Sequence, residues 1–403
     1  MKVILARKFI LTLCFFSFAF GVEATFDGYM RGGYIIQNQG STFQDDALAF
    51  GGKVGSHAEI TRHMEINLGL YFSELLYATD SSAITADFVD TQSRSFAFLG
   101  EASLKGEYQY HNFDFGRQKV NTAHADGDDI RMVPNLFQAY SYVYDGFVHT
   151  KLQLVHFTHM AGWENGADTK MFTNMHDVLG ITNENGTAIN KGLTMVHWGY
   201  ENNTFSFDFY DYHLYDAYNI VYLELGYFKE FSEAFSLGMG LQYNANFGIS
   251  SHQNGGVLVN NLDAQVVGAQ VTLGFGNLGV ELGLSGTQGI GSDPINGSWG
   301  GGPYFTSLEA MTFDAIGDNA GISYVASLSI DLFIDGLALS YAYGDFQAED
   351  QIILHIIEQN AALTYEKENV FTLHLGFASG IDQLDPANNY NFTYLLLQTP
   401  LVY

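Results

Sequence analysis

The chain has 403 residues, of which 47% are hydrophobic and only 15% charged, and it contains 33 Phe, 25 Tyr and 44 Gly. The aromatic content excludes a disordered chain, because disordered segments are poor in aromatic residues. The 16 basic residues stand against 44 acidic ones, giving a net charge of −28. This charge excludes nucleic acid as a partner, because neutralising phosphates requires a basic surface.

Residues 1–24 have the organisation of a secretory signal peptide. Lys2, Arg7 and Lys8 form a basic segment, an apolar run follows at 9–20, and a cleavage site lies near Ala24. The apolar run is too short to anchor the chain, since a helix needs ~20 apolar residues to cross a bilayer. We therefore predict export through the periplasm, cleavage near Ala24, and one mature domain over residues 25–403.

The single cysteine, Cys14, lies inside the signal segment. The mature chain therefore has no thiol for a disulfide, a zinc–thiolate site or a cysteine nucleophile. No later segment approaches 18 consecutive apolar residues, which excludes membrane-spanning helices. Two fates remain open for such an exported chain: a soluble protein, or a β-barrel in the outer membrane.

Apolar residues alternate with small or polar ones from about residue 26 onward. Successive side chains of a strand point to opposite faces, so each such segment has one apolar and one wettable face. The clearest segments are 235–244, 267–275, 278–285, 324–332 and 337–343. A soluble β-sandwich would alternate in the same way, with its apolar face turned inward.

Three features favour a membrane barrel over a sandwich. The segments are ~10 residues long, which matches a tilted strand across a bilayer. Their wettable face is rich in Gly, Ser, Thr, Asn and Gln, and aromatic residues crowd their ends as a girdle would. We assign six aromatic residues to these girdles: Tyr222, Tyr227, Phe228, Tyr243, Tyr341 and Tyr343.

The segments predict an all-β fold, a transmembrane antiparallel β-barrel of about 18 strands. Sixteen is the alternative count, because the stretches 94–118 and 351–378 can be divided differently. Tight turns near 201–203, 276–277 and 335–336 are typical of the periplasmic end of a barrel. The predicted long loops are 117–134, 159–191, 286–319 and 379–389. The last strand carries Pro400, which cannot donate to the ladder.

Two loop segments resemble signatures of the OprD family of outer-membrane porins. The first, at 128–139, reads DDIRMVPNLFQA and is similar to the family's third loop; the second, at 302–309, reads GPYFTSLE. The segment at 341–345, which reads YAYGD, also fits. The resemblance is closest to the epsilonproteobacterial branch. It implies an 18-stranded channel whose third loop folds into the lumen.

The resemblance also implies a charged constriction in the pore. Aspartates of the third loop, beside arginines, would orient dipolar solutes, and further basic residues would line one wall of the lumen. The predicted pore-contact residues are Arg117, Arg131, Asp126, Asp128, Asp129, Arg31 and Lys151. The alternative interpretation is that the aspartates form a turn in a solvated surface loop and the basic residues contact lipid head groups.

The expected function is passive diffusion of small hydrophilic solutes and ions, such as amino acids and small carboxylates, through a water-filled outer-membrane channel. An adhesin or structural barrel without channel activity is the alternative. The mature histidines are scattered and none begins a His-x-Ser pattern, so we predict no enzymatic activity, no catalytic residue, no metal site and no cofactor. The expected partners are outer-membrane lipid, lipopolysaccharide and the solutes, with the chain a monomer or a homotrimer.

Overall fold

The computed structural model describes residues 24–40, 43–79, 88–90, 94–166, 168–260, 262–290, 298–316, 321–349 and 353–402. Within them, 18 long antiparallel strands form one sheet, and its last strand pairs with its first. The sheet therefore closes into a barrel. The predicted signal segment lies outside the described residues, apart from Ala24, where the first strand begins. In the described parts of the chain no helix is long and apolar enough to cross a bilayer.

The strands confirm the predicted all-β barrel and the count of 18, so the alternative count of 16 is wrong. Each predicted segment corresponds to one strand. The strands are β1 (Ala24–Gln39), β2 (Phe43–Thr61), β3 (Met64–Ala78), β4 (Phe96–Tyr108), β5 (His111–Gln118), β6 (Leu136–Phe147), β7 (Thr150–Ala161), β8 (Leu193–Glu201), β9 (Phe205–Leu214), β10 (Tyr218–Ser232), β11 (Phe235–Gly248), β12 (Asp263–Phe275), β13 (Val280–Ile290), β14 (Gly321–Asp331), β15 (Leu337–Ala348), β16 (His355–Lys367), β17 (Phe371–Asp382) and β18 (Tyr390–Val402).

Shorter elements lie in the connections. A two-residue strand extends the pairing of β7, and three others pair in a small sheet of their own. These strands are Thr173–Asn174, Ile181–Asn183, His252–Asn254 and Val257–Val259. One α-helical turn and three 3-10 turns complete the fold, at Met175–Val178, Gly276–Leu278, Phe313–Ile316 and Pro386–Asn388.

Short and long connections alternate, so the barrel has a turn end and a loop end. Three long connections matter for the lumen: loop 3 (residues 119–135), loop 4 (162–192) and loop 7 (291–320, of which 298–316 are described). They overlap the loops predicted at 117–134, 159–191 and 286–319, although the strands extend further than expected. The connections 79–95 and 249–262 are also long, and the sequence patterns did not predict them.

The alternation of apolar and polar residues correctly predicts which side chains face outward and which face the lumen. On β11, Met239 and Leu241 are exposed on the outside, whereas Gln242 and Asn244 are buried on the lumen side. A closed barrel of this kind carries an apolar band outside and polar groups inside. One girdle assignment is wrong: Tyr222 is buried on the lumen side, because its hydroxyl lies 3.2 Å from the backbone oxygen of Pro303 in loop 7.

Pro400 lies within β18, which extends from Tyr390 to Val402. Its backbone is in register with Tyr29 of β1, but the pairing of β18 with β17 ends at Gln398. Pro400 therefore has a neighbouring strand on one side only. A proline, which has no backbone N–H to donate, is tolerated at such an edge-like position.

Candidate functional site

Loop 3 crosses the lumen instead of extending away from the barrel. It leaves β5 and reaches the opposite wall, where the imidazole Nε2 of His124 is 2.8 Å from Oδ1 of Asn244 on β11. The backbone N–H of His124 donates to the buried hydroxyl of Tyr212 on β9, at 3.0 Å. The ring of His124 meets three tyrosine rings edge-on, those of Tyr212, Tyr222 and Tyr304. The predicted inward fold of this loop is therefore present.

Loop 7 joins loop 3 inside the barrel. Ala125 and Trp299 form a parallel bridge, with Trp299 N donating to the His124 carbonyl at 2.7 Å. The indole of Trp299 is fully buried and donates to the carbonyl of Met175 at 2.9 Å. The next residue, Gly300, has a φ of +109°, and a Cβ at this position would lie 2.2 Å from the Asp126 carbonyl oxygen. Only glycine allows the two loops to approach so closely.

Arg131 lies at the centre of the contacts among loops 3, 4 and 7. Its guanidinium donates to Oε1 of Glu309 in loop 7 at 2.9 Å, and it lies over two rings, Trp163 of loop 4 and Tyr394 of β18, at 5.2 Å from each centroid. The hydroxyl of Tyr394 donates to the other oxygen of Glu309 at 3.1 Å. Loops 3, 4 and 7 thus meet at one ion pair against the barrel wall.

Arg31 and Asp129 form a second ion pair beside the first. Nη1 of Arg31, on β1, is 2.9 Å from Oδ1 of Asp129 and also donates to the carbonyl of Arg131. The same guanidinium donates through Nε to Gln398 of β18 at 3.0 Å. Lys119 contacts the second oxygen of Asp129 at 3.1 Å. The structure therefore brings together Arg31, Arg131 and Asp129, three of the seven predicted pore-contact residues.

Asp128 forms a carboxyl pair with Glu164 of loop 4, and the two side chains are hydrogen-bonded. Burial, followed by the neighbouring carboxyl group, raises the pKa of Glu164, and burial likewise raises the pKa of Asp128. The Glu164 carboxyl group accepts two further hydrogen bonds. One comes from the side-chain amide of Asn135 at 2.6 Å, and the other from the backbone N–H of Gly301 at 3.2 Å. We expect two carboxyl groups in such contact to share a proton, since like charges cannot both ionise cheaply. Asp128 itself has a φ of +35°.

Of the other three predicted residues, Asp126 contacts the cluster through Asp128, whereas Arg117 and Lys151 lie apart from it. Asp126 accepts a hydrogen bond from the backbone of Asp128 at 2.7 Å, and burial raises the pKa of its carboxyl group. Arg117 donates to the Leu99 carbonyl at 3.0 Å and covers the ring of Phe172 at 4.2 Å. Lys151 is exposed near the turn end of β7. Arg117 and Lys151 are therefore not part of the contact network around Arg131.

Two cavities lie beside the Arg131–Glu309 ion pair. The larger, about 900 Å³, is lined by residues of loops 3, 4 and 7 and of the strands on both sides of the closure. The smaller, about 430 Å³, is lined by Arg31, Asp129 and Gln398 among others. Both are lined by Glu309, His374 and Tyr394. A third cavity, about 350 Å³, lies where loops 3 and 7 face β9 and β10.

Comparison with solved structures explains this architecture. OccK9 (OpdG) of Pseudomonas aeruginosa superposes with a TM-score of 0.80 over 94% of this chain and 99% of its own, at 14% identity. The fold is that of the outer-membrane porins. OpdK of Pseudomonas aeruginosa gives a TM-score of 0.78 at 15% identity with the same coverage, and a BenF-like porin from Pseudomonas fluorescens Pf-5 gives 0.80 at 12%.

These structural neighbours are porins of the OprD type, as the loop signatures predicted, and porins are not enzymes. Pseudomonas and Acinetobacter are the sources of the neighbours that have been compared, so the epsilonproteobacterial branch stays a prediction. A scan against family models finds no match, and a search of curated protein sequences finds none either.

Sequence reasoning missed several residues of this candidate site. Glu309, the partner of Arg131, and Glu164, the partner of Asp128, belong to other loops than loop 3. His124 is in loop 3 but is not part of any recognisable motif. Glu309 does end the loop segment 302–309 that carried the second resemblance, so that segment could have indicated it. Glu164 follows Trp163, which covers Arg131, but nothing in the sequence places loop 4 against loop 3.

Proposed function

We propose that the chain is an outer-membrane porin through which small hydrophilic solutes and ions diffuse passively. The carrying observation is the pair of cavities that share Glu309, His374 and Tyr394 inside a closed barrel. Charged and polar groups line both, and apolar side chains cover the outside of the wall. A solute in such a lumen is surrounded by water and by charged side chains of the pore wall. Selective diffusion depends on these charges and on the width of the pore.

The proposal includes the route by which the barrel reaches its membrane. Residues 1–24 direct export and are removed near Ala24, and β1 begins at that residue, so cleavage leaves the barrel whole. Sequencing the N-terminus of the protein from purified outer membranes tests this part. A mature chain that starts near Thr25 supports it, and an intact Met1 or a chain retained in the inner membrane contradicts it.

The proposed substrates are small organic solutes and ions. Two of the similar structures support this size class: OpdK of Pseudomonas aeruginosa with vanillate, and OccK2 (OpdF) of the same species in complex with glucuronate. Loops 3, 4 and 7 narrow the lumen at Arg131, so solutes larger than a monosaccharide are expected to pass slowly.

Liposome swelling tests the proposal directly. Vesicles that contain the purified mature protein are diluted into isosmotic solutions of uncharged solutes of increasing size. We expect fast swelling with the smallest solutes and a steep fall as their size increases. Folded protein that gives no swelling with any solute contradicts the porin and supports the adhesin or structural barrel instead.

A further inference from the structure

The two central ion pairs present their carboxylates to the lumen and their guanidiniums to the wall. In the first pair the Arg131 side chain is 5% exposed and that of Glu309 is 18% exposed. In the second, Arg31 is 6% exposed and Asp129 is 28% exposed. A passing solute therefore meets the acidic partner of each pair first.

Both arginines are also engaged by partners within the protein. Arg131 is covered by the rings of Trp163 and Tyr394 in addition to its ion pair. Arg31 donates to Asp129, to the Arg131 carbonyl and to Gln398. A carboxylate solute would have to displace these partners, because a guanidinium binds an anion through the same N–H groups.

The acidic excess extends over the rest of the lumen cavities. The larger cavity is lined by four carboxyl groups, those of Asp128, Glu164, Glu309 and Asp314. Its lining contains one arginine, Arg131, and no lysine. The cavity at β9 and β10 is lined by three further carboxyl groups, those of Asp126, Asp208 and Glu224, and its lining contains no lysine or arginine.

Several other ion pairs have the opposite orientation, with the basic side chain more exposed than the acidic one, among them Lys119–Asp129 at 35% and 28%. Asp90 is buried, and the side chains of Arg94 and Lys170 that contact it are the exposed partners. Neither of these two basic residues lines the cavities on either side of the Arg131–Glu309 pair. Lys119, which contacts Asp129, does not line them either. Arg94 and Lys170 therefore leave the acidic surface of the constriction unchanged, whereas Lys119 offsets the charge of Asp129. Glu309 is then the carboxylate that faces both cavities.

We propose that the constriction selects cationic solutes over anionic ones and that the carboxylate of Glu309 sets this preference. The inference rests on the proposed channel function and names its substrate class: monovalent metal cations and small organic ammonium compounds. Glu309 holds the decisive position because it lines the cavities on both sides of the narrowing and neutralises Arg131.

Reversal potentials in a potassium chloride gradient test the assignment. The variants are Glu309→Gln and the control Glu233→Gln, which removes the same charge at an exposed position in the turn between β10 and β11. A unit charge about 4 Å from an ion in water changes the permeability ratio about five-fold. We expect a cation preference in the native protein, a fall of at least that size in Glu309→Gln, and no change in the control.

The outcomes separate the two proposals. Channels with native anion preference, or an equal permeability ratio in Glu309→Gln and Glu233→Gln, overturn the assignment of Glu309 and leave the porin intact. Folded native protein without conductance overturns both. If Glu309→Gln does not fold, Arg131→Gln gives the complementary test, because it frees Glu309 and is expected to raise the cation preference; a fall contradicts the inference.

Discussion

His124 is predicted to hold loop 3 against the far wall of the barrel. The side chain is buried, its ring meets three tyrosine rings at centroid distances of 5.5, 5.7 and 6.2 Å, and it bonds to Asn244 at 2.8 Å. An edge-on ring contact contributes ~0.5–1.5 kcal/mol and a hydrogen bond ~1 kcal/mol. With the low value for each ring, His124→Ala weakens the attachment by ~2.5 kcal/mol, which raises the detached population about 70-fold.

Single-channel recording measures this population, because a detached loop 3 widens the lumen and produces a larger conductance level. Tyr212→Phe gives a graded comparison: it removes only the oxygen that accepts the His124 N–H, at 3.0 Å. That bond is worth ~1 kcal/mol, so the wide level should increase about five-fold. His63→Ala is the control, since the ring of His63 bonds to the Glu107 carbonyl at the turn end. Equal conductance histograms for His124→Ala and His63→Ala refute the reasoning.

Three further predictions concern the same loops. Arg131→Ala removes the partner of Glu309 and should raise both the conductance and, roughly two- to five-fold, the cation preference; unchanged conductance and selectivity would show that loop 3 does not form the constriction. Since the pKa values of Asp128 and Glu164 are raised, the folded protein holds their proton more tightly than the unfolded chain, so stability falls as the pH rises from weakly acidic to neutral. Current noise should increase over that pH range in the native channel and stay flat in Glu164→Gln; parallel pH profiles would contradict the shared proton. Gly300→Ala should separate loops 3 and 7, because its Cβ would lie 2.2 Å from a carbonyl oxygen. Gly301→Ala is the comparison: its φ is +60° but the space at its Cβ is open, so it should add only left-handed backbone strain, ~1 kcal/mol. Equal noise in the two channels would contradict the close approach.

The barrel was predictable because alternation is a local signal. Each strand that faces lipid outside and water inside repeats with period two, and β11 shows this directly. The alternation fails where loops fill the lumen, because inward residues then become apolar as well. On β9 and β10, Tyr212, Leu214, Tyr218 and Ile220 are buried in one cluster with Trp299 of loop 7. The girdle prediction for Tyr222 fails for the same reason: an aromatic side chain near a strand end packs here against loop 7 in the lumen instead of facing lipid.

The candidate site was only half predictable. The signature at 128–139 identified loop 3, and Asp129 and Arg131 belong to that segment, so both charged residues could be predicted from it. Their partners come from elsewhere: Arg31 from the first strand and Glu309 from loop 7. A contact between residues 178 positions apart leaves no periodic trace in the sequence. The orientation of each pair, with the acid toward the lumen, is a property of the packing around the guanidinium.

We expect an open, water-filled path to run through this barrel past Glu309. Single-channel currents of the purified native protein in a planar bilayer, under a potassium chloride gradient, would reveal such a path. Discrete conductance steps are expected, with a reversal potential that has the sign of cation preference. Folded protein that inserts into the bilayer but produces no steps would contradict it.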